Sequence, residues 1–443
     1  MSNSDLSQME GNDKRHLLAK LLAKKTKKRE PEASPNSSKN TLVSAKSQSL
    51  KQGIRELKKS LTLLKVFRED NPYFRIFDGM MTSVISHQGK DVINFSGYDY
   101  LGFASDPRVH ADTISAIQKL GTSVGASRIA SGERPLHQEL EKELASIFGV
   151  EDSIVFVSGY GTNQGVLGHI MGPEDLILHD AFIHRSIIDG CITSGATRIA
   201  FSHNDFSSLE SILQDNRKQF RQCIILVEGI YSMDGDLPDL AKIIELKKKY
   251  DSLLFVDEAH SLGVLGEHGR GIGEHAKIDP HDVDLWMGTL SKSLASCGGV
   301  IAGKADIIEY LRYTAPAFVY SVGISPANAA AALSAARLLR KEPERAARAR
   351  ENGRYFFDLL VKNGLNVGLS SGFAITPLIV GNTKETVRLS NALLKEGINT
   401  QPIFYPAVEE SQARLRFFIT ANHTREQLEY TVDTINRLYK KKK

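Results

Sequence analysis

Five residues with reactive or hydrogen-bonding side chains follow two neighbouring apolar runs of the sequence. Asp257 and His260 follow the first run, and Thr289, Ser291 and Lys292 follow the second. A partly desolvated lysine can lose its proton and form a Schiff base with a carbonyl compound. A carboxylate beside a protonated pyridine nitrogen keeps that ring an electron sink. Together they predict a site for an anionic, nitrogen-containing aromatic cofactor held covalently by Lys292.

Other apolar runs are also followed by polar residues. Gly159 and Tyr160 follow one run, Glu228 and Ser232 follow another, and His184 comes after a third. A glycine turn that opens a helix presents backbone N–H groups suited to a phosphate. Each of these residues alone is explained equally well by a turn, a helix cap or a loop. In combination they favour one ligand site, because ligands of open α/β sheets bind at the carboxyl ends of strands.

The apolar runs alternate with helix-like segments between about residues 94 and 325. Such alternation predicts an α/β domain with a mainly parallel central sheet, followed by a smaller α+β domain. An alanine-rich helix is expected from Pro326 to Leu339. The predicted division has four parts: a flexible basic tail with a short amphipathic helix, an N-terminal arm, a large cofactor-binding domain and a small C-terminal domain. The corresponding ranges are 1–50, 51–100, 101–335 and 336–443.

Composition excludes several classes of protein. The 443 residues are 41% hydrophobic and 24% charged, and no apolar run is long enough to predict a membrane span. The three cysteines are scattered and the N-terminus lacks an apolar signal core, which predicts a cytoplasmic protein. Much of the net charge of +4 lies in basic residues near the two ends. Without interleaved aromatics, these favour a solvated or protein-docking segment over nucleic-acid binding.

Three other kinds of site are disfavoured by spacing. No cluster of histidines and cysteines has the spacing of a zinc site. Ser158-Gly159 lacks the full Gly-x-Ser-x-Gly elbow of a hydrolase. No Gly-x-Gly-x-x-Gly opens the first strand-to-helix turn, so a hydride-transfer fold is not favoured.

From about residue 57 to 438 the chain resembles the α-oxoamine synthases, a branch of the fold-type I enzymes that use pyridoxal 5'-phosphate (PLP). Serine palmitoyltransferase and amino-oxononanoate synthase belong to that branch. The resemblance rests on an ordered series of motifs: Asn94-Phe95-Ser96, Asp99-Tyr100-Leu101-Gly102, His137-x-x-Leu140-Glu141, Ser158-Gly159-Tyr160, Glu228-Gly229-Ile230-Tyr231-Ser232-Met233-Asp234-Gly235, Asp257-Glu258-Ala259-His260, Gly269-Arg270-Gly271, Thr289-x-Ser291-Lys292, and Leu415-Arg416 ahead of Ala421-Asn422-His423.

This resemblance implies a role for each matched residue that would hold the cofactor. Lys292 would carry it as a Schiff base and act as the acid and base at Cα, with Asp257 on the pyridine nitrogen. His260 would bond the ring oxygen, and His184 would stack over the ring. The phosphate would be surrounded by Gly159, Tyr160, Thr289 and Ser291, and Ser232 would line the site.

The same resemblance implies the substrate contacts and the assembly. Arg416 would hold the amino-acid carboxylate through its fork of N–H donors, and Glu228 would line the site. Ser321 would reach the phosphate of a second subunit, which implies a homodimer. Many members carry Asn where this chain has Tyr98, and serine palmitoyltransferases look similar to this chain at that position. This departure bears on acyl-group preference.

The implied reaction is a decarboxylative condensation of glycine, alanine or serine with an acyl thioester to give an α-amino ketone. The alternatives are another fold-type I enzyme, such as an aminotransferase, or a non-catalytic partner subunit. The acyl donor would be a thioester of coenzyme A or of an acyl carrier protein. The second donor is suggested by the apolar stripe Leu17, Leu18, Leu21 and Leu22 within the basic tail, a pattern suited to an acidic protein partner. Neither a membrane span nor nucleic acid is among the expected partners.

Overall fold

The protein is described here by a computed structural model that covers residues 50–67, 69–405 and 407–439. The predicted basic tail, its short amphipathic helix and the basic C-terminal end lie outside these residues. The chain divides into two compact units, residues 1–74 and 75–443. The first unit contains one described helix, and the second contains the remaining elements.

Fourteen α-helices occur in the described residues: α1 Leu50–Phe67, α2 Pro107–Leu120, α3 Pro135–Phe148, α4 Gly159–Ile170, α5 Arg185–Ser194, α6 Phe206–Asn216, α7 Leu240–Lys249, α8 Ile272–Ala276, α9 Ala305–Thr314, α10 Pro316–Val319, α11 Pro326–Lys341, α12 Glu344–Lys362, α13 Thr383–Lys395 and α14 Arg425–Tyr439. The described strands are β1 Val84–His87, β2 Lys90–Asn94, β3 Asp152–Phe156, β4 Leu176–Asp180, β5 Thr197–Phe201, β6 Cys223–Glu228, β7 Leu253–Asp257, β8 Leu285–Thr289, β9 Gly299–Gly303, β10 Ile375–Ile379, β11 Ile398–Asn399, β12 Gln401–Ile403 and β13 Arg414–Phe418.

Seven strands form the central sheet, in the order β3-β9-β8-β7-β6-β4-β5. The five strands from β8 to β5 run parallel, whereas β9 is antiparallel to both of its neighbours. Parallel neighbours require crossover connections, and helices α5, α6 and α7 lie in the links between the parallel strands. The prediction of a mainly parallel α/β sheet is confirmed.

Both faces of this sheet are apolar. Along β6, Ile225 and Val227 belong to one buried cluster, whereas Ile224 and Leu226 belong to a second. Side chains of a strand alternate between faces, so an unbroken apolar run marks a strand covered on both sides. Helices α4 and α5 supply the second cluster, and the alanine-rich helix α11 supplies the first. The sheet is therefore a rigid, dry platform for the residues at its strand ends.

Two three-stranded sheets complete the described chain. One has the order β1-β2-β11 and the other β10-β13-β12. They share a third apolar cluster, which includes Phe95, Phe356 and Phe417. The smaller α+β region predicted after the central domain is thus present. The boundaries predicted at residues 100 and 335 stay predictions, since residues 75–443 form a single compact unit. Across the described ranges, no helix is long and apolar enough to cross a membrane.

Candidate active site

Three neighbouring parallel strands end in polar residues at one edge of the central sheet. Glu228 ends β6, Asp257 ends β7 and Thr289 ends β8. Glu228 and Asp257 are register partners across the two strands. These residues were expected just after the strands, and the structure includes each as the last residue. Differences of one or two residues in the strand ends leave the predicted edge unchanged.

A cavity of about 270 Å³ opens at this edge. Of the residues predicted from the sequence, nine line it: Gly159, Tyr160, His184, Glu228, Asp257, His260, Thr289, Ser291 and Lys292. Tyr98, Ser232, Ser321 and Arg416 are not among the lining residues. Asn163, Ser186 and Cys297 line the cavity although they were not predicted as site residues.

Asp257 is buried and held by two donors. Its carboxylate accepts a 2.8 Å hydrogen bond from Asn163 Nδ2 and a 2.9 Å bond from the backbone N–H of Ala259. Asn163 Nδ2 also lies 2.9 Å from Ser186 Oγ. The sequence signal for Asn163 was its place one turn into the helix that follows β3, on the face of the helix that meets the sheet. The two bonds fix the direction of the aspartate while leaving its charge unpaired.

His184 caps the helix α5 and reaches the same polar chain. Its Nδ1 lies 2.7 Å from Ser186 Oγ, which links it through Asn163 to Asp257. Burial lowers the pKa of His184, against the opposing charge of Asp257. A neutral, oriented imidazole at the cavity wall is suited to stacking on an aromatic ring, as the sequence predicted.

Lys292 is buried and its ammonium group is destabilised. Burial lowers the pKa of Lys292 to about 8, although the charges of Asp257 and Glu228 raise it. Its Nζ also lies 5.9 Å from the centroid of the Tyr98 ring. A pKa near 8 gives a substantial neutral fraction at physiological pH, which both nucleophilic attack and proton abstraction require.

His260 is fixed from both sides. The Tyr100 hydroxyl lies 2.7 Å from its Nδ1, and the Phe418 ring stacks on it at 6.1 Å. Burial lowers the pKa of His260 well below its usual value, and the charge of Lys292 lowers it further. The ring is therefore neutral near pH 7, and Nε2 is left to contact a ligand.

The turn after β3 forms a close cradle. Ser158 caps α4 by accepting from the backbone N–H of Gly161 at 3.1 Å. A Cβ on Gly159 would lie 2.7 Å from Thr289 Oγ1, so only glycine lets the helix terminus approach β8 this closely. Thr289 Oγ1 is itself 3.2 Å from Ser291 Oγ. These donors are those of a phosphate site at a helix N-terminus.

Tyr160 and Ser321 lie at the periphery of this arrangement. The Tyr160 ring is partly exposed and its hydroxyl donates to Asp189 on α5. Ser321 is half-buried beside Tyr320, which is 86% exposed, and its hydroxyl donates to the Val322 carbonyl at 3.2 Å. Ser321 does not line the cavity of its own chain.

Arg416 lies on β13 and is not among the residues that line the cavity. Its Nη1 donates to the Ser232 carbonyl at 2.8 Å, and its Cζ lies 4.6 Å above the Phe418 ring. Its buried Nε has no partner among the described residues, and neither has Glu228 Oε1. Tyr98 packs edge-on against Phe418, with the ring centroids 4.7 Å apart. The structure thus leaves a guanidinium donor available to an anionic ligand.

Known proteins resemble this chain over most of its length. Residues 90–435 match the family model for aminotransferases of class I and II. An 8-amino-7-oxononanoate synthase of Thermosipho melanesiensis is 40% identical over 369 residues, which cover 83% of this chain and 94% of that protein. One from Bacillus subtilis is 39% identical and covers 80% and 90%.

Solved structures show the same likeness. A serine palmitoyltransferase of Sphingomonas wittichii superposes with a TM-score of 0.84 at 29% identity, covering 89% of this chain and 99% of that one. A serine palmitoyltransferase of S. paucimobilis with bound PLP and myriocin superposes with a TM-score of 0.85 at 27% identity and the same coverage.

Proposed function

The chain belongs to the class I and II aminotransferase family, in its α-oxoamine synthase branch, and we propose that the cavity around Lys292 is its active site. The protein is a PLP-dependent acyltransferase that transfers the acyl group of a thioester to an amino acid, with release of the thiol and loss of carbon dioxide. The observation that carries the site assignment is a buried lysine with a lowered pKa in the cavity that Asp257 also lines. A non-catalytic subunit would need neither the buried lysine nor the carboxylate in the same cavity.

PLP fits the residues that are present. A phosphate would meet the N-terminus of α4 at Gly159, where a side chain would collide with Thr289. His184 would stack on the ring, and Asp257 at the end of β7 would pair with the pyridine nitrogen; both residues line the cavity. Asn163 Oδ1 and Glu228 Oε1 are buried and unpartnered in the described structure, as expected of groups that face a polar ligand.

The cofactor supplies an electron sink that stabilises negative charge at the amino-acid Cα. The protein's residues do the remaining work. Asp257 would maintain the ring proton, and Thr289, Ser291 and the Gly159 backbone would hold the phosphate. Lys292 would hold the cofactor covalently and, with a pKa of about 8, would take the Cα proton of the bound amino acid. Tyr160 would complete the lining, and Ser232 would act through its carbonyl, which holds Arg416.

Arg416 would orient the substrate. Its free Nε and its Nη groups suit a bidentate contact with the amino-acid carboxylate, while the 2.8 Å bond to the Ser232 carbonyl fixes the guanidinium. Arg416 would hold the carboxylate, and Lys292 would take the proton from Cα. Glu228 lines the cavity with Lys292, and the Tyr98 ring centroid lies 5.9 Å from Lys292 Nζ.

The amino acid is glycine, alanine or serine in this proposal, and the donor is a thioester of coenzyme A or of an acyl carrier protein. The carrier-protein alternative rests on the basic tail, which lies outside the described residues. A homodimer is part of the proposal, because Ser321 lies between exposed Tyr320 and Val322 and outside its own cavity, where it is suited to reach a second subunit's phosphate site. A cytoplasmic location accords with three cysteines that form no disulfide.

The function is tested by product analysis. Purified enzyme with PLP is supplied with glycine, alanine and serine and with acyl thioesters of both carriers, and products are identified by mass spectrometry. We expect an α-amino ketone and carbon dioxide from the wild type and neither from Lys292→Ala. An oxo acid formed with pyridoxamine phosphate would instead identify an aminotransferase and overturn the proposal.

A further inference from the structure

A second buried polar cluster lies at the same edge of the central sheet, beside the active site. It consists of Asp180 at the end of β4, His203 and Asn204 just after β5, and Asp236 in the segment after β6. The side chains of Asp180 and His203 are 0% and 9% exposed, and that of Asp236 is 9% exposed. The proposed reaction uses none of these residues.

Histidine 203 bridges the two carboxylates. Its Nδ1 lies 2.7 Å from Asp180 Oδ1, and its Nε2 lies 2.7 Å from Asp236 Oδ2. A carboxylate only accepts, so both ring nitrogens must carry hydrogen and the ring is an imidazolium. Burial opposes this charge, but the hydrogen bonds of Asp180 and Asp236 outweigh it and raise the pKa of His203 to about 9.

Aromatic side chains and Asn204 complete the enclosure. The Phe182 ring stacks on the imidazole at 4.2 Å, and the Tyr231 ring meets it edge-on at 4.6 Å. Asn204 has a left-handed backbone with φ of 53°, which lets its N–H reach Asp180 Oδ2 at 2.9 Å and its amide reach Asp236 Oδ2 at 2.9 Å. The charged and titratable groups that face His203 are therefore Asp180, Asp236 and Tyr231.

One arm of the cluster leads to His184. Asp180 Oδ1 accepts from the backbone N–H of Phe182 at 2.8 Å, which fixes the first turn of the segment between β4 and α5. His184 lies two residues further on and caps α5. A shift of Asp180 or of the Phe182 ring would therefore move the imidazole at the cavity wall.

The other arm leads to Arg416. The Asp236 carbonyl accepts from the backbone N–H of Tyr231 at 3.0 Å and closes the turn that contains Ser232. Arg416 donates to the Ser232 carbonyl, and in the same turn Asp234 forms a 2.7 Å ion pair with Arg414. The turn thus connects Asp236 to the two arginines of β13.

We propose that His203 is a positioning residue for the reaction: by bridging Asp180 and Asp236, it fixes together the segment that carries His184 and the turn that holds Arg416. The position of His184 against the cofactor and that of Arg416 against the amino-acid carboxylate then both depend on the cluster of Asp180, His203 and Asp236. This inference rests on the proposed function, since it assigns His184 to PLP and Arg416 to the amino acid.

The decisive variant is His203→Gln, which cannot bridge two carboxylates. We expect the PLP dissociation constant, measured by spectroscopic titration, and the amino-acid KM each to rise roughly tenfold or more, with a smaller change in kcat, because misplacing binding groups mainly weakens binding. Asp236→Asn, which keeps the shape of the side chain, should move both constants in the same direction and serves if the first variant does not fold.

The matched control is His281→Gln. His281 also lies near two carboxylates, with Nδ1 2.8 Å from Asp279 and Nε2 3.7 Å from Glu151, but it is 47% exposed and remote from the cavity. We expect its constants to equal those of the wild type. If the His203 and Asp236 variants lose thermal stability while both constants stay within about twofold of the wild type, the role is structural and the inference is wrong.

A pH series adds a second readout. The folded-state pKa of His203 is raised from 6.5 to about 9, so its stabilisation is complete below pH 6.5 and is lost as the pH rises through 9. The difference in melting temperature between wild type and His203→Gln should therefore shrink between pH 6.5 and pH 10. A difference that stays constant would show that His203 does not carry the charge. A wild type that binds no PLP would refute the proposed function instead.

Discussion

At the residue scale, opposing influences decide the charge state of Lys292. Burial removes the water that stabilises the ammonium, whereas the carboxylates of Asp257 and Glu228 stabilise it. The balance leaves a pKa of about 8, below the usual 10.5. A solvated lysine would be almost fully protonated at pH 7 and would be a poor nucleophile and base.

The first prediction follows from this pKa. PLP attaches to the neutral amine, so the attachment rate of apoenzyme should rise about tenfold per pH unit up to about pH 8 and then level off. Rapid-mixing absorbance measurements across pH 6 to 10 would record it, with Lys292→Ala as the control that shows no attachment. Borohydride should fix the cofactor on Lys292 alone. A rate that still climbs through pH 10 contradicts the lowered pKa.

Asp257 supports a second prediction at this scale. Asp257→Asn keeps the shape and the position between Asn163 and Ala259, but removes the charge that would maintain the protonated ring nitrogen. We expect kcat to fall by about a hundredfold or more while the melting temperature changes little, because the charge serves the chemistry. Steady-state kinetics and thermal unfolding together test this. Activity near the wild-type level would remove Asp257 from the cofactor site.

Tyr98 supports a third prediction. Its ring packs on Phe418, and the ring centroid lies 5.9 Å from Lys292 Nζ. Tyr98→Ala opens space beside Lys292, so the ratio of kcat/KM for serine over glycine should rise by about tenfold. Tyr98→Phe keeps the ring and should preserve the ratio. Equal ratios in the alanine variant and the wild type would show that the ring does not limit the substrate.

At the element scale, the loop between β7 and α8 is fastened to the sheet by Glu258. The carboxylate accepts from the backbone N–H of Ile272 at 2.9 and 3.1 Å, and from the Ser261 hydroxyl. Asp257 and His260 flank Glu258 on the same strand end. The Gly269-Arg270-Gly271 motif therefore has a structural role: it lets the loop pass close to the carboxylate of Glu258, the residue next to Asp257.

Gly271 gives the corresponding prediction. Its φ is +101°, and a Cβ would lie 2.4 Å from the Glu258 carboxylate. Gly271→Ala should cost roughly 3 kcal/mol of unfolding free energy or more, from backbone strain and displacement of Glu258. Gly89→Ala is the matched control: its φ is +74°, but nothing lies within 4 Å, so only the backbone cost of about 1–2 kcal/mol is expected. Equal losses in urea unfolding would contradict the role of the close approach.

At the scale of the whole molecule, the site is expected to need a second copy of the chain. Ser321 lies outside its own cavity, between Tyr320 at 86% and Val322 at 51% exposure. Large side chains this exposed on both sides of Ser321, which the resemblance assigns to a second subunit's phosphate, favour an interface. The choice of acyl donor and the proposed docking role of the basic tail also concern the whole molecule, and the tail lies outside the described residues.

The prediction at this scale concerns assembly. Light scattering should show at least a dimer, and Tyr320→Glu should shift it toward monomer and weaken PLP binding, since a charge would be buried at the interface. Leu369→Glu, at a site 57% exposed and remote from Ser321 in sequence, is the control and should leave both unchanged. A fully active monomer would contradict the proposed dimer.

The sequence by itself determined the sheet and the edge at which the site lies. Apolar runs alternating with helix-like segments predicted a mainly parallel sheet, and the residues that end the runs, such as Glu228 and Asp257, were placed together because carboxyl ends of parallel strands share an edge. Lys292, His184 and His260 were predicted for the same reason and all line the cavity.

Only the tertiary structure decided which polar residues support that site. Asn163 and His203 lie far apart in sequence from the groups they bond, 94 residues from Asp257 and 33 from Asp236, and no local period encodes such distances. The pKa of Lys292 is equally invisible in the sequence, because it depends on how completely the packed domain excludes water. The hydrophobic pattern of the sequence predicts where a strand lies, whereas the partner of a buried charge depends on the packing of the folded domain.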